Sequence, residues 1–206
     1  MTLQNRVLPD GQVVAAPNRG TLMGNRGILH GADQTLGTAR WRHKAWVCCL
    51  LSFKGRRRRI MAPNNYTELF FLDEATAFAA GHRPCAECRR ADHLAFKTAW
   101  AAATGKRASA PEMDAVLHLN RVTRKRAQVT YQADASTLPN GTFIQIADGH
   151  AVLWGASALM YRPSGYYAAI DRPNGPVTVL TPRPTVTTIA HGYRPTLHFS
   201  ASAYLS

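Results

Sequence analysis

The segment GHRPCAECRR at 81–90 sets Cys85 and Cys88 three residues apart in a tight turn between arginines. Two thiolates at that spacing can bind one tetrahedral zinc ion, and the N–H groups of the turn stabilise their sulfurs. A closed site needs further ligands, so the pair predicts half of a metal centre. A redox pair would need a thioredoxin-like βαβ setting, which the flanking sequence lacks. A buried thiol cluster without metal is the bland alternative.

A second chemical group lies in PEMDAVLHLNR. On a helix, Asp114, His118 and Arg121 fall on one stripe, at i, i+4 and i+7. Carboxylate, imidazole and guanidinium together suit general acid–base work or phosphodiester cleavage, and equally suit a surface ladder of paired charges. In the C-terminal half, His150, His191 and His198 stand near Asp148, Asp171, Tyr166 and Tyr167, with no spacing that matches a catalytic signature. There is no phosphate loop, nucleophile elbow or zinc-protease helix.

Charge sets the class of partner. The 25 Lys and Arg outnumber the 12 Asp and Glu, giving a net charge of +13. Such an excess suits a polyanion, and the arginine fork grips phosphate at two points. The predicted phosphate contacts are Arg56, Arg57, Arg58, Arg59, Arg83, Arg89, Arg90, Arg124, Lys125 and Arg126. Asn-Arg-Gly recurs at 18–20 and 25–27, where glycine next to arginine permits close backbone approach to phosphate. Trp154, Tyr161, Tyr166, Tyr167 and Tyr193, interleaved with Arg162, Arg172, Arg183 and Arg194, could stack on bases or simply fill a core. The function expected is nucleic-acid binding. Its rivals are a hydrolytic enzyme acting on nucleic acid and a basic module for an acidic protein.

The elements that must position these groups are legible in part. AWVCCLLSF and KGRRRRI, turning at Gly55, read as a β-hairpin over 45–60 that displays Arg56–Arg59. TELFFL is a buried strand. DEATAFAAG is a short helix capped by Asp73 and ended by Gly81. A second helix carries Leu94, Phe96, Ala99 and Trp100 on its apolar face and stops at Gly105. A third starts with the capping box of Ser109 and Glu112, Pro111 in its first turn, and buries Met113, Val116 and Leu117. Beyond residue 127, short apolar runs cut by Pro, Gly, Asn and Asp predict a small antiparallel sheet or barrel. The fold class is α+β. Residues 1–126 form the knuckle and helical region, and 127–206 a β-rich region packed against it. The run at 177–195 echoes 68–84, both reading strand, helix, glycine, Arg-Pro; two independent uses of one local solution account for it better than a duplication.

LFFLDEATAFAAGHRPCAECRR resembles the second half of the Ada-type zinc-binding module, a DNA-repair module also attached to nucleases. The likeness covers residues 66–90 and rests on Phe70–Phe71, Glu74–Ala80, Gly81, Arg83, Pro84, Cys85, Cys88 and Arg89. It implies zinc and contact with DNA in preference to RNA. His82 stands where the module has an aromatic residue. The module draws two ligands from further upstream, yet the matching window KGRRRRIMAPNN contains neither Cys nor His. The cysteine that accepts a methyl group in that module has no counterpart here, so that chemistry is not implied. The best ligand set is Cys85 and Cys88 with Cys49, and His93 or His43 fourth. Cys48 and Cys49 would point to opposite faces of a strand, and the pattern alone does not decide which faces the knuckle. His30 is a more distant candidate.

No run approaches the ~20 apolar residues of a membrane helix. The N-terminal stretch has no apolar core of signal-peptide type, which predicts a cytoplasmic protein whose four cysteines serve as ligands or thiols and not as disulfides.

Overall fold

Short apolar runs separated by Gly, Pro and Asn make short strands, and these assemble into two sheets. The computed structural model describes residues 2–56, 59–147 and 149–205. The N-terminal sheet contains β1 (Gln4–Val7), β2 (Val13–Ala15), β3 (Leu22–Asn25), β4 (Val47–Leu50), β5 (Leu69–Phe71) and β6 (Arg83–Pro84). Their order is β2-β1-β5-β3-β4-β6, with β1·β5 and β4·β6 parallel and the other pairs antiparallel.

The C-terminal sheet contains β7 (Tyr131–Asp134), β8 (Phe143–Ile146), β9 (Gly149–Trp154), β10 (Ser157–Arg162), β11 (Gly165–Asp171) and β12 (Pro176–Val179). It is antiparallel throughout, in the order β11-β10-β9-β8-β12-β7. The helices are α1 (Glu74–Ala79), α2 (Arg90–Thr104), α3 (Ala110–Arg121) and α4 (Arg183–Ala190).

Helix α1 is buried along its whole length, which explains its composition. Ala77 and Phe78 face the N-terminal core of Leu69, Phe71, Phe96 and Leu117. Ala75 and Ala79, four apart, face the C-terminal core of Phe143, Val152 and Leu159. Small side chains let one short helix serve two cores at close range.

The two acids that start α1 fasten the halves together. Asp73 caps the helix by accepting from Thr76 N (2.8 Å), and its other oxygen accepts from Tyr166 Oη (2.6 Å) and His198 N (3.0 Å). Glu74 accepts from Tyr193 Oη (2.7 Å) and Thr196 N (3.0 Å). Tyr166→Phe should therefore cost about 1–2 kcal/mol by stripping one donor from a buried carboxylate, read as a lower midpoint in thermal unfolding. An unchanged midpoint would mean the contact is not a fastening.

Local signals hold well. Asp73, Ser109 with Glu112, and Gly105 cap their helices as expected, and Gly81 follows α1 at φ +83°. A Cβ on Gly81 would meet the Arg121 side chain at 2.6 Å, so the position needs glycine twice over. The echo also survives as backbone: β12, α4 and Gly192 (φ +109°) repeat the order of β5, α1 and Gly81.

Two expectations fail. Among the described residues the hairpin over 45–60 does not form, because β4 pairs with β3 and β6 and residues 51–56 run as turns and irregular chain, with Lys54 and Gly55 at positive φ. Leu94 and Val116 are exposed, since Phe96, Ala99 and Trp100 on α2 and Met113 and Leu117 on α3 already fill the core. Of the two readings of the C-terminal aromatics, core filling holds for Tyr161, Tyr166 and Tyr193, which are buried, while Tyr167 is exposed under Arg162.

Candidate metal centre and basic cleft

The parallel pairing of β4 with β6 builds the cysteine cluster. Register sets Val47 against Arg83 and Cys48 against Pro84, and Cys85 N donates to Cys48 O (3.0 Å). One residue further along each strand, Cys49 meets the Cys85-x-x-Cys88 turn that leads into α2. The sulfurs of Cys49, Cys85 and Cys88 lie within 4.8 Å of one another, close enough to hold one metal ion. Among the described residues no fourth Cys, His, Asp or Glu joins them.

Strand alternation separates the adjacent cysteines. Cys48 points into the core, where Arg89 Nη1 donates to its sulfur at 3.1 Å. His93 is not in the cluster; its Nδ1 faces Pro84 O at 3.2 Å. His43 is exposed, and His30 is buried against Thr67, so neither joins the group.

The cluster's electrostatics suit a cation. The Cys49 thiol donates to Cys85, and with N–H groups from the turn this lowers Cys85 to about 5 against the cost of burial. Glu87 N is 3.4 Å from the Cys85 sulfur. The same shared proton, together with burial, pushes Cys49 up, and burial pushes Cys88 up. Three sulfurs this close, one of them favoured as thiolate, have the donor chemistry of a soft-ligand metal centre.

The three cysteines line a cleft of about 900 Å³. Arg6, Arg19 and Arg56 also line it against two acids, Glu68 and Glu87, with Phe53, Tyr66 and Phe70. Arg6 donates to Asn18 O and Asn5 Oδ1 and lies over the Phe70 ring. Arg56 pairs with Glu87 (2.8 Å) in the open, an exposed bond that exchanges readily with water. Arg6 escaped the sequence reading, whereas Arg19 and Gly20 belong to the first Asn-Arg-Gly.

Several expected phosphate contacts are otherwise engaged. Arg83 is buried in a two-pronged ion pair with Asp114, Nε–Oδ1 2.8 Å and Nη2–Oδ2 2.7 Å. Arg89 is buried against Glu74 (2.7 Å), Asp92 (2.9 Å) and Cys48. Both are structural cations, out of reach of a polyanion. Arg90, Arg124, Lys125 and Arg126 are exposed but do not line the cysteine cleft. Arg57 and Arg58, like Asp148, lie outside the described residues. Arg59 is exposed.

The acid–base stripe on α3 is also absorbed by structure. Asp114 is buried and spends both oxygens on Arg83, while His118 Nδ1 sits 3.1 Å from Arg121 Nη2, where burial and that cation lower its pKa. His150 lies 3.7 Å from Asp10, His191 bonds Thr187 O on its own helix, and His198 bonds Ser200. Among the described residues the three do not form a common group with acids. His82 is a core aromatic in practice, edge-on to Phe71 at 4.6 Å, and burial keeps it neutral.

Comparison with protein-family models, curated proteins and solved structures finds no match.

Proposed function

We propose that this protein is a zinc protein that binds nucleic acid, DNA in preference to RNA, along the cleft beside Cys49, Cys85 and Cys88. One observation carries the reading: three cysteines gathered by the β4·β6 pairing line the same cleft as Arg6, Arg19 and Arg56. Zinc suits an all-thiolate set, whose three negative charges against the ion's two leave the site anionic and compatible with the nearby arginines. Phe53 and Phe70 add apolar faces of the kind on which bases stack. The likeness of residues 66–90 to the Ada-type module and the net charge of +13 point the same way. The hydrolytic alternative loses Asp114, whose two oxygens serve Arg83. Three ligands leave a fourth position for water or for a group of the bound molecule.

Fluorescence anisotropy with labelled duplex DNA, single-stranded DNA and RNA, across a salt series, tests this. Affinity should fall steeply with salt, and Arg19→Ala should weaken binding to all sequences alike while reducing the salt slope by about one. Binding that ignores salt, or that Arg19→Ala leaves untouched, would remove the cleft from the account.

A further inference from the structure

A second site lies away from the cysteines, in a cavity of about 410 Å³ that shares no lining residue with the cleft. It opens between the β1–β2 turn and the face of the C-terminal sheet that carries Gln145 and Thr178. Arg26, just past β3, and Arg121, the last residue of α3, line it; they are 3% and 1% exposed. Each guanidinium carbon lies 4.0 Å from the centroid of a Trp46 ring.

The charges there do not balance. Three guanidiniums, those of Arg26, Arg83 and Arg121, are buried around α1's C-terminal end, and Asp114 gives both its oxygens to Arg83. Among the described residues Arg26 has only neutral partners, His82 Nε2 and Ala80 O, both at 3.3 Å. Arg121 donates to Gly81 O (2.8 Å) and Lys44 O and lies beside His118, and its buried Nε makes no hydrogen bond. Arg40 and Arg126 add two exposed cations at the rim. The one carboxylate in the lining among the described residues, Asp10, accepts from Gln12 N (3.0 Å) and Gln12 Nε2 (2.7 Å). Burial lowers both Arg26 and Arg121 to about 9, for Arg121 against the pull of the nearby Asp114, the expected response of cations held out of water with no anion bonded to them.

Burying one unpaired guanidinium is costly, and a fold that buries two beside a solvent-open cavity is set up for a ligand that supplies the missing charge. Two positive charges call for two negative ones. A phosphate monoester carries about −1.5 to −2 at neutral pH and offers three acceptor oxygens, whereas a carboxylate or an internal phosphodiester carries one charge. An internal phosphodiester is also flanked on both sides by sugar, and could not descend to groups this buried. The cavity's size is that of a site for a small molecule or a chain end.

We propose that this cavity binds a phosphate monoester dianion, held by Arg26 and Arg121 and drawn in by Arg40 and Arg126. The source is either a small phosphorylated molecule or the terminal phosphate of a nucleic-acid strand. The reading is independent of the cysteine cleft and of any metal there.

Isothermal titration of the full chain with inorganic phosphate, a nucleoside 5′-monophosphate and short single-stranded DNA bearing 5′-phosphate or 5′-hydroxyl tests it. Saturable binding of the monophosphate is expected. Arg26→Met should weaken it by about 30-fold or more, and Arg40→Gln, at the exposed rim, by about three- to tenfold. Arg26→Met should unfold at the same temperature as the parent, or higher, without phosphate, because it removes an unpaired buried charge. That pairing of weaker binding with undiminished stability would not come from a purely structural arginine. Tenfold or greater preference for the 5′-phosphorylated strand over the 5′-hydroxyl strand assigns the site to chain ends; equal binding assigns it to small molecules. Failure of every phosphate monoester to bind, or binding unaffected by Arg26→Met and Arg40→Gln, overturns the proposal.

Discussion

Replacing Cys49, Cys85 or Cys88 by serine is expected to strip the metal and take most of its stabilising effect with it, whereas Cys48→Ala leaves the metal in place. The three sulfurs sit within 4.8 Å of one another, while Cys48 faces the core and bonds Arg89. A metal that binds only the folded chain stabilises it by about 4 kcal/mol when free metal exceeds the dissociation constant ~1,000-fold. Losing one of three thiolates should weaken affinity by about 100-fold or more, removing well over half of that effect. Metal content by elemental analysis and thermal unfolding with and without a chelator would show it. Equal metal in Cys49→Ser and the parent protein would mean that β4 contributes no ligand.

The second large effect is expected at Asp114, 31 residues from its partner in the chain. Arg83 and Asp114 are each about 5% exposed as side chains and meet in two hydrogen bonds. Asp114→Ala would leave Arg83 buried and unpaired, a loss of about 3–5 kcal/mol. It would also withdraw the carboxylate that favours the charged form of Arg121. At this chain length each kcal/mol moves the melting midpoint by roughly 2–4 °C, so a fall of about 10 °C is expected. Restoring neutrality with Arg83→Met on top of Asp114→Ala should recover much of the loss, measured by the same thermal scans. A single variant as stable as the parent would show that the pair is not what holds α3 to β6.

Which features the sequence made legible follows from the range over which each is determined. Helix caps are decided within four residues, so Asp73, Ser109–Glu112 and Gly105 read correctly. The Cys85–Cys88 turn is equally local. Its third ligand depends on a parallel pairing between β4 and β6, more than thirty residues apart, and alternation alone narrowed the choice to Cys48 or Cys49. The charge excess is plain in the sequence, but two of its addresses, Arg83 and Arg89, are not surface ones. Arg83 and Arg89 look like a basic flank to the knuckle, but their carboxylates arrive from α3 and α1. The hairpin failed for a related reason: β4 found partners on both sides before the arginine run began. The buried pair Arg26 and Arg121 stood in the sequence only within the second Asn-Arg-Gly and the α3 stripe, neither of which points to a shared cavity, because nothing local distinguishes an arginine that faces solvent from one that lines a cavity.

The central claim is that Cys49, Cys85 and Cys88 together hold one zinc ion at the wall of the basic cleft. X-ray absorption at the zinc edge, on the purified untagged protein, tests it most directly. The account predicts one zinc per chain with three sulfurs at about 2.3 Å and one lighter atom at about 2.0 Å. A well-folded protein without zinc, or a zinc surrounded by four sulfurs, would contradict it.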